Sequence, residues 1–424
     1  MISRRDFTRL FAVGGSAALF AHPEFALARP APLPEPGAAA ADAFWDAVRQ
    51  QFVMPPELAV MNAANLCPST RGVLESVYGG TRDIDRDPSP ANRAKLYPAK
   101  EDTRRRLAAF LRATPEEIVI TRNTSESNNL ISSGLDLKAG DEVVIFHDNH
   151  PSNNLAWKQK GKRFGYTVTE LPNPNPHPGA EYYVEAVRAA LSSKTKVLAF
   201  THLTSTVGDL MPAAEMCRVA RERGVLSVVD GAQSFGLLDV DLSVMQPDFY
   251  TGSAHKWPCG PKETGVLFAS SRVHERIWPS VYSAYQGAVG LSKTFEGFGQ
   301  RDDAAIVAFG ETIAFHEKVG RENIERRARE LAQALIAGLR KIDGVRVWTS
   351  AAPDRSAAVV SFQPGSLDAQ KLAAALYERD KIACATRGGA DRGGLRFSPH
   401  LYNTPAEVDR VLAAIGRYMK GGVS

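Results

Sequence analysis

Between Leu107 and Phe268 the chain returns again and again to short apolar runs: Glu117-Ile-Val-Ile-Thr121, Glu142-Val-Val-Ile-Phe146, Lys196-Val-Leu-Ala-Phe-Thr201, Val225-Leu-Ser-Val-Val229 and Gly265-Val-Leu-Phe268. Runs this short, with amphipathic helical stretches between them and little polar alternation, are strands covered on both faces. The pattern predicts an α/β fold around a mainly parallel sheet. Ligands in such sheets bind beyond the carboxyl ends of the strands. Polar residues gather at those places, in Thr121–Ser125, His147–Asn153, Thr201–Ser205 and Asp230–Gln233.

A second pattern follows. One long helix is expected from about Asp302 to Gly344, leading into a smaller α+β unit with strands at Val345–Trp348, Ala357–Phe362, Ile382–Ala385 and Leu395–Phe397. Helices are expected at Leu367–Arg379 and Pro405–Lys420, the latter opened by a capping box of Thr404 and Glu407 with proline at its first position. The Pro/Asn stretch Leu171–Gly179 is expected to be a surface loop.

The amino terminus carries Ser3-Arg4-Arg5-Asp6-Phe7, a short apolar stretch from Leu10 to Phe20, and Ala26-Leu27-Ala28. The apolar stretch is too short for a membrane span, which takes roughly 20 residues, and the paired arginines resemble a twin-arginine export signal. Residues 1–28 are therefore expected to be a Tat signal, which implies the Tat export machinery as a partner, a periplasmic location and no stable membrane anchor. Residues 29–41 are expected to be a linker and 42–64 a segment packing with the small domain. A large domain over 65–310 and a small one over 311–424 complete the layout. With 51 basic and 47 acidic side chains, no electrostatic footprint for nucleic acid is visible. The four cysteines, Cys67, Cys217, Cys259 and Cys384, carry no CxxC and no zinc spacing, so no metal is expected and disulfides stay open.

Lys256 stands in Ser253-Ala-His-Lys-Trp-Pro-Cys-Gly260, downstream of Asp230, which ends the run from Val225. An amine able to form a Schiff base and an anion able to face a pyridine nitrogen are the pair that pyridoxal 5'-phosphate (PLP) requires. A lone lysine is usually a solvated one; the coupled aspartate and the small, hydroxylated neighbours reverse that reading.

Val229-Asp-Gly-Ala-Gln-Ser-Phe235, Ser253-Ala-His-Lys256 with its following Gly-Pro, and Leu401-Tyr-Asn-Thr404 resemble the class V aminotransferase family of fold-type I PLP enzymes. That group includes cysteine desulfurases and isopenicillin N epimerase-like proteins, and the likeness extends from about Phe44 to Met419. It implies Lys256 as the cofactor lysine and proton carrier, Asp230 at the ring nitrogen, and Gln233 at the ring's phenolic oxygen. Thr124 and Ser125, with Ser253 and His255, would hold the phosphate. His150 would cover the ring face, although an ungapped match puts Pro151 there, and Ser205, beside Thr204, stands where many members carry asparagine. Arg396 would bind a substrate carboxylate, with Arg387 and Asn65 as further substrate-side candidates. The segment Phe295–Asp302 resembles one that reaches the partner's phosphate in family dimers, which implies a homodimer with shared sites and Gly299 or Gln300 at that phosphate.

Gly388-Gly-Ala-Asp-Arg-Gly-Gly394 lacks the nucleophilic cysteine that a desulfurase needs on this loop. The export signal, length and motifs together resemble the Tat-exported enzymes that mature a peptide siderophore such as pyoverdine. An aminotransferase-type tailoring enzyme acting on an amino acid or peptide is the first expectation. An epimerase or lyase of the isopenicillin N epimerase type is the alternative, and an exported non-catalytic binding protein the reading from another class.

Overall fold

The computed structural model describes residues 32–34, 41–388 and 391–423. The expected export signal, 1–28, and all of the linker but 32–34 and Ala41 lie outside them. The chain from Leu33 on forms one compact unit. Among the described residues, no helix is long and apolar enough to cross a membrane.

The strands in chain order are β1 (Ala59–Val60), β2 (Ile118–Thr121), β3 (Glu142–Phe146), β4 (Thr167–Leu171), β5 (Thr195–Thr201), β6 (Leu226–Asp230), β7 (Phe249–Ser253), β8 (Gly265–Ala269), β9 (Val345–Val347), β10 (Val360–Pro364), β11 (Ile382–Ala383), β12 (Ala385–Arg387) and β13 (Gly394–Phe397). Seven of them make the main sheet, in the order β2-β8-β7-β6-β5-β3-β4. Only β8 runs against its neighbours, so β2, β3, β5, β6 and β7 all end on the same edge. The pleat sends alternate residues to opposite faces. Leu198, Phe200 and Val229 enter one apolar cluster, while Val197, Ala199 and Val228 enter the other. Each of these leucine, valine and phenylalanine side chains contributes about 1.5–3 kcal/mol by leaving water.

The second sheet is antiparallel, ordered β12-β13-β10-β9. Its Val360, Phe362, Leu395 and Phe397 belong to the same cluster as Phe200 and Val229, so one apolar core underlies both sheets. β1 pairs in parallel with β11, and Arg49 bonds to Tyr402 O at 2.7 Å and to Glu407 at 2.8 Å, which ties the amino-terminal segment to the chain's end.

Several expectations need correction. The single helix from Asp302 to Gly344 is two, Asp303–Val319 and Arg321–Leu339, because Gly320 adopts φ +89°, which breaks the helical path at no steric cost to glycine. The strand expected over Ile382–Ala385 is divided at Cys384 into β11 and β12, which pair with different partners. The runs singled out above omitted β4 and β7: β4 is a half-exposed edge strand and β7 is short and hydroxylated, so neither reads as an apolar run. In the stretch after Leu171, Asn173 and His177 are buried, and Asn173 Oδ1 accepts from Asp148 N at 2.9 Å.

Candidate active site

Asp230 ends β6, and Gly231 follows because any Cβ there would stand 2.1 Å from the Tyr250 ring. The Asp230 carboxylate is buried and held by three donors: Asn128 Nδ2 at 2.9 Å, Ala232 N at 3.0 Å and Asn153 Nδ2 at 3.5 Å. Asn128 is fixed in turn by Thr251 Oγ1, which donates to its Oδ1 at 3.0 Å. Lys256 follows β7. Burial, and secondarily Arg387, lowers its pKa from 10.5 against the opposing pull of Asp230.

Both side chains line one cavity of about 300 Å³, together with Asn65, Thr124, Ser125, His150, Ser205, Gln233, Ser253, His255, Arg387 and Arg396. Twelve of the fourteen sequence candidates thus converge on one space. Gly299 and Gln300 do not: they line a neighbouring cavity of about 420 Å³, where Gln300 Oε1 accepts from Arg93 Nη2 at 2.5 Å. Their expected place is the phosphate of a partner chain, apart from the cavity of their own.

The helix Thr124–Gly134 starts at this space, with Asn123 as its cap accepting from Glu126 N at 2.9 Å. Its first N–H, on Thr124, donates to Ser253 Oγ at 2.9 Å, and the two hydroxyls lie 2.8 Å apart. Hydroxyls at a helix amino terminus are suited to a phosphate. His255 is half-buried, and burial followed by Lys256 pushes its pKa down to about 4, so it is neutral at neutral pH. His150 caps the helix Pro151–Phe164 and bonds Ser152 Oγ at 2.7 Å, while Pro151 is that helix's first residue. Enclosure by protein, then Lys256, lowers the His150 pKa from 6.5, although part of the ring reaches solvent.

Gln233 Oε1 accepts from Trp257 Nε1 at 2.7 Å and its Nε2 donates to Ala64 O at 2.9 Å, which leaves one N–H unused. Arg396 is buried; its Nη1 donates to Ser205 O at 2.9 Å, its Nη2 to Asn62 Oδ1 at 3.3 Å, and its Nε has no partner. Arg387 Nε is likewise buried without a partner, and burial lowers the Arg387 pKa. Two guanidiniums around one cavity, neither neutralised by a carboxylate bond, favour an anionic ligand.

Residues 89–411 match the family model for Aminotransferase class-V. The chain belongs to that family. It is 31% identical over 394 residues to isopenicillin N epimerase of Amycolatopsis lactamdurans, covering 89% of this chain and 99% of that one. A probable cysteine desulfurase of Halalkalibacterium halodurans is 30% identical over 333 residues, covering 73% and 79%. Among solved structures, the apo cysteine desulfurase of Thermococcus onnurineus matches with TM-score 0.79 at 24% identity, over 89% of this chain and 98% of that one. A mutant of C-DES with glycine covalently linked to its PLP cofactor matches with TM-score 0.79 at 23% identity, over 87% of this chain and 98% of that one. This is a class V, fold-type I PLP enzyme, and its α/β fold with a mostly parallel sheet is that of these neighbours.

The cavity suits PLP on the chain's own terms: an enclosed lysine, a clamped buried carboxylate and a hydroxyl-bearing helix start share one space. The sequence reading missed Asn128, Asn153, Thr251 and Asn62, which position Asp230 and Arg396. Asn128 lies one helical turn after Thr124 and so faces the same way, a signal that i, i+4 spacing carries.

Proposed function

We propose that this enzyme moves the α-proton of an amino acid or aminoacyl substrate that carries a carboxylate, in the manner of an epimerase or aminotransferase. The convergence of Lys256, Asp230 and Arg396 on one cavity carries the reading. When bound, PLP supplies an electron sink for negative charge at the substrate α-carbon. Lys256, with its pKa lowered by burial, takes and returns the proton there. Asp230, clamped by Asn128 and Ala232, would present its carboxylate to the ring nitrogen, and Gln233, with one N–H unused, would donate to a ring oxygen. Thr124, Ser125, Ser253 and the helix start would hold the phosphate, His150 would cover the ring face, and Arg396 would take the carboxylate, with Arg387 or Asn65 at a second substrate group.

Sulfur abstraction is disfavoured. Cys384 is half-buried, with a pKa pushed up to about 12, Cys67, Cys217 and Cys259 are buried, and none of the four lines the cavity.

A second reading, aminotransferase-type tailoring of a peptide siderophore in the periplasm after Tat export, is favoured by the Ser3–Phe7 arginine pair. A homodimer, with Gly299 or Gln300 at the partner's phosphate, extends both readings. Incubation of the PLP-loaded enzyme with amino acids and siderophore-like peptides in D2O should put deuterium on the α-carbon. D-isomers then mark epimerisation, and oxo products mark amino transfer. Lys256→Ala should slow exchange about 10²–10⁴-fold. Failure of the wild type to retain PLP, or exchange that survives in Lys256→Ala, would refute the assignment.

A further inference from the structure

Behind the lysine loop lie three side chains that the chemistry above does not use. Cys67, Cys259 and His400 come from distant stretches of the chain, yet their two sulfurs and one ring nitrogen of His400 lie within 4.8 Å of one another. All three are exposed by 1% or less. His400 Nε2 lies 2.6 Å from Trp257 O. A carbonyl only accepts, so Nε2 carries the hydrogen and Nδ1 the free lone pair. Nδ1 is buried without any hydrogen-bond partner. An imidazole that gives one N–H to a backbone carbonyl while its other nitrogen stays open has the arrangement of metal-ligating histidines.

We propose that Cys67, Cys259 and His400 bind a thiophilic divalent cation of the zinc class. Tyr402 Oη lies 3.5 Å from Cys67 Sγ and offers a further oxygen donor. Zinc–sulfur bonds of about 2.3 Å and zinc–nitrogen bonds of about 2.0 Å in a tetrahedron set ligand atoms about 3.5–4 Å apart, inside the 4.8 Å that encloses these three. Burial, then the neighbouring Cys67, raises the Cys259 pKa well above its ordinary 9.0. Binding replaces two S–H protons, released to solvent, with two metal–sulfur bonds, and the cation and two thiolates sum to zero charge. That neutrality is what a buried site requires.

The site would staple three parts of the cavity wall. Cys67 follows Asn65 by two residues, Cys259 follows Lys256 by three, and His400 follows Arg396 by four. Cys67 N already donates to His255 O at 2.8 Å.

Full-length protein made in zinc-supplemented medium without a metal-affinity tag, then desalted, should hold about one zinc per chain by elemental mass spectrometry. Refolding with cobalt should give sulfur-to-cobalt charge-transfer absorption. Cys259→Ser and His400→Asn should each remove the metal; if either fails to fold, the wild-type stoichiometry and cobalt spectrum decide. Metal-free wild type whose four cysteines all titrate as thiols in denaturant would overturn the proposal. So would a Cys67–Cys259 disulfide, seen as a mass two hydrogens lower, or zinc retained at the wild-type level in both folded variants.

Discussion

Asn128→Leu tests how the Asp230 carboxylate is held. Leucine has a similar volume, so the change is one of chemistry. Asp230 Oδ2 would keep only the 3.5 Å contact from Asn153, and Thr251 Oγ1 would lose the acceptor it now has at 3.0 Å. A hydrogen bond to a charged group contributes about 1.5–3 kcal/mol and an orphaned buried hydroxyl costs about 1–3 kcal/mol, so the apo protein should lose about 3–5 kcal/mol. At about 2.1 cal/mol/K per residue, a unit of about 390 residues has an unfolding entropy near ~0.8 kcal/mol/K. Calorimetry of the apo variant should therefore show Tm lower by about 4–6 °C. A carboxylate free to turn should also bind PLP about tenfold more weakly in an absorbance titration, since tenfold corresponds to about 1.4 kcal/mol, close to one orienting bond. A Tm within about 1 °C of wild type, with PLP affinity unchanged, would refute the clamp.

Arg396→Lys removes a planar fork that lysine cannot reproduce. KM for substrates with a free carboxylate should rise about 10–100-fold, or about 1.4–2.8 kcal/mol, while PLP loading stays constant; an unchanged KM would move the carboxylate to Arg387. His202 is held neutral by burial, then Arg329, with its pKa down to about 4 from an ordinary 6.5. The unfolded chain binds the proton more readily between those values, so stability should fall as pH drops from 6.5 towards 4, by about 2 kcal/mol at about pH 5. Denaturant melts at both ends of that window should show this loss shrink in His202→Gln; an equal loss in the variant would exonerate His202. Arg104 is buried and bonds Glu296, Glu101 and Ile118 O. Arg104→Met should leave the largely buried Glu296 carboxylate without its guanidinium, held by Ile120 N at 2.6 Å, and cost about 3–5 kcal/mol in denaturant melts; a loss below about 1 kcal/mol would show that this backbone bond suffices.

Where the sequence read well, the signal was local. The five apolar runs became β2, β3, β5, β6 and β8, because a strand buried on both faces needs apolar residues throughout its length. The polar clusters after them lie at the cavity because parallel strands end on a common edge. β4 escaped because, at the sheet's edge, it is half-exposed and mixes Thr and Glu with apolar residues, and the break at Gly320 escaped because apolar spacing continues on both sides of it.

The sequence by itself determined five strands of the main sheet, the coupled pair of Lys256 and Asp230, and the absence of a cysteine from Gly388–Gly394, since each depends on residues close together in the chain. Only the tertiary structure decided that Asn128 clamps Asp230, that Asn62 and Ser205 seat Arg396, and that Cys67, Cys259 and His400 meet. Those meetings join residues a hundred or more positions apart, with the Arg396–Asn62 pair separated by 334. Burial of one apolar core shared by both sheets sets such distances, and no short stretch of sequence encodes it.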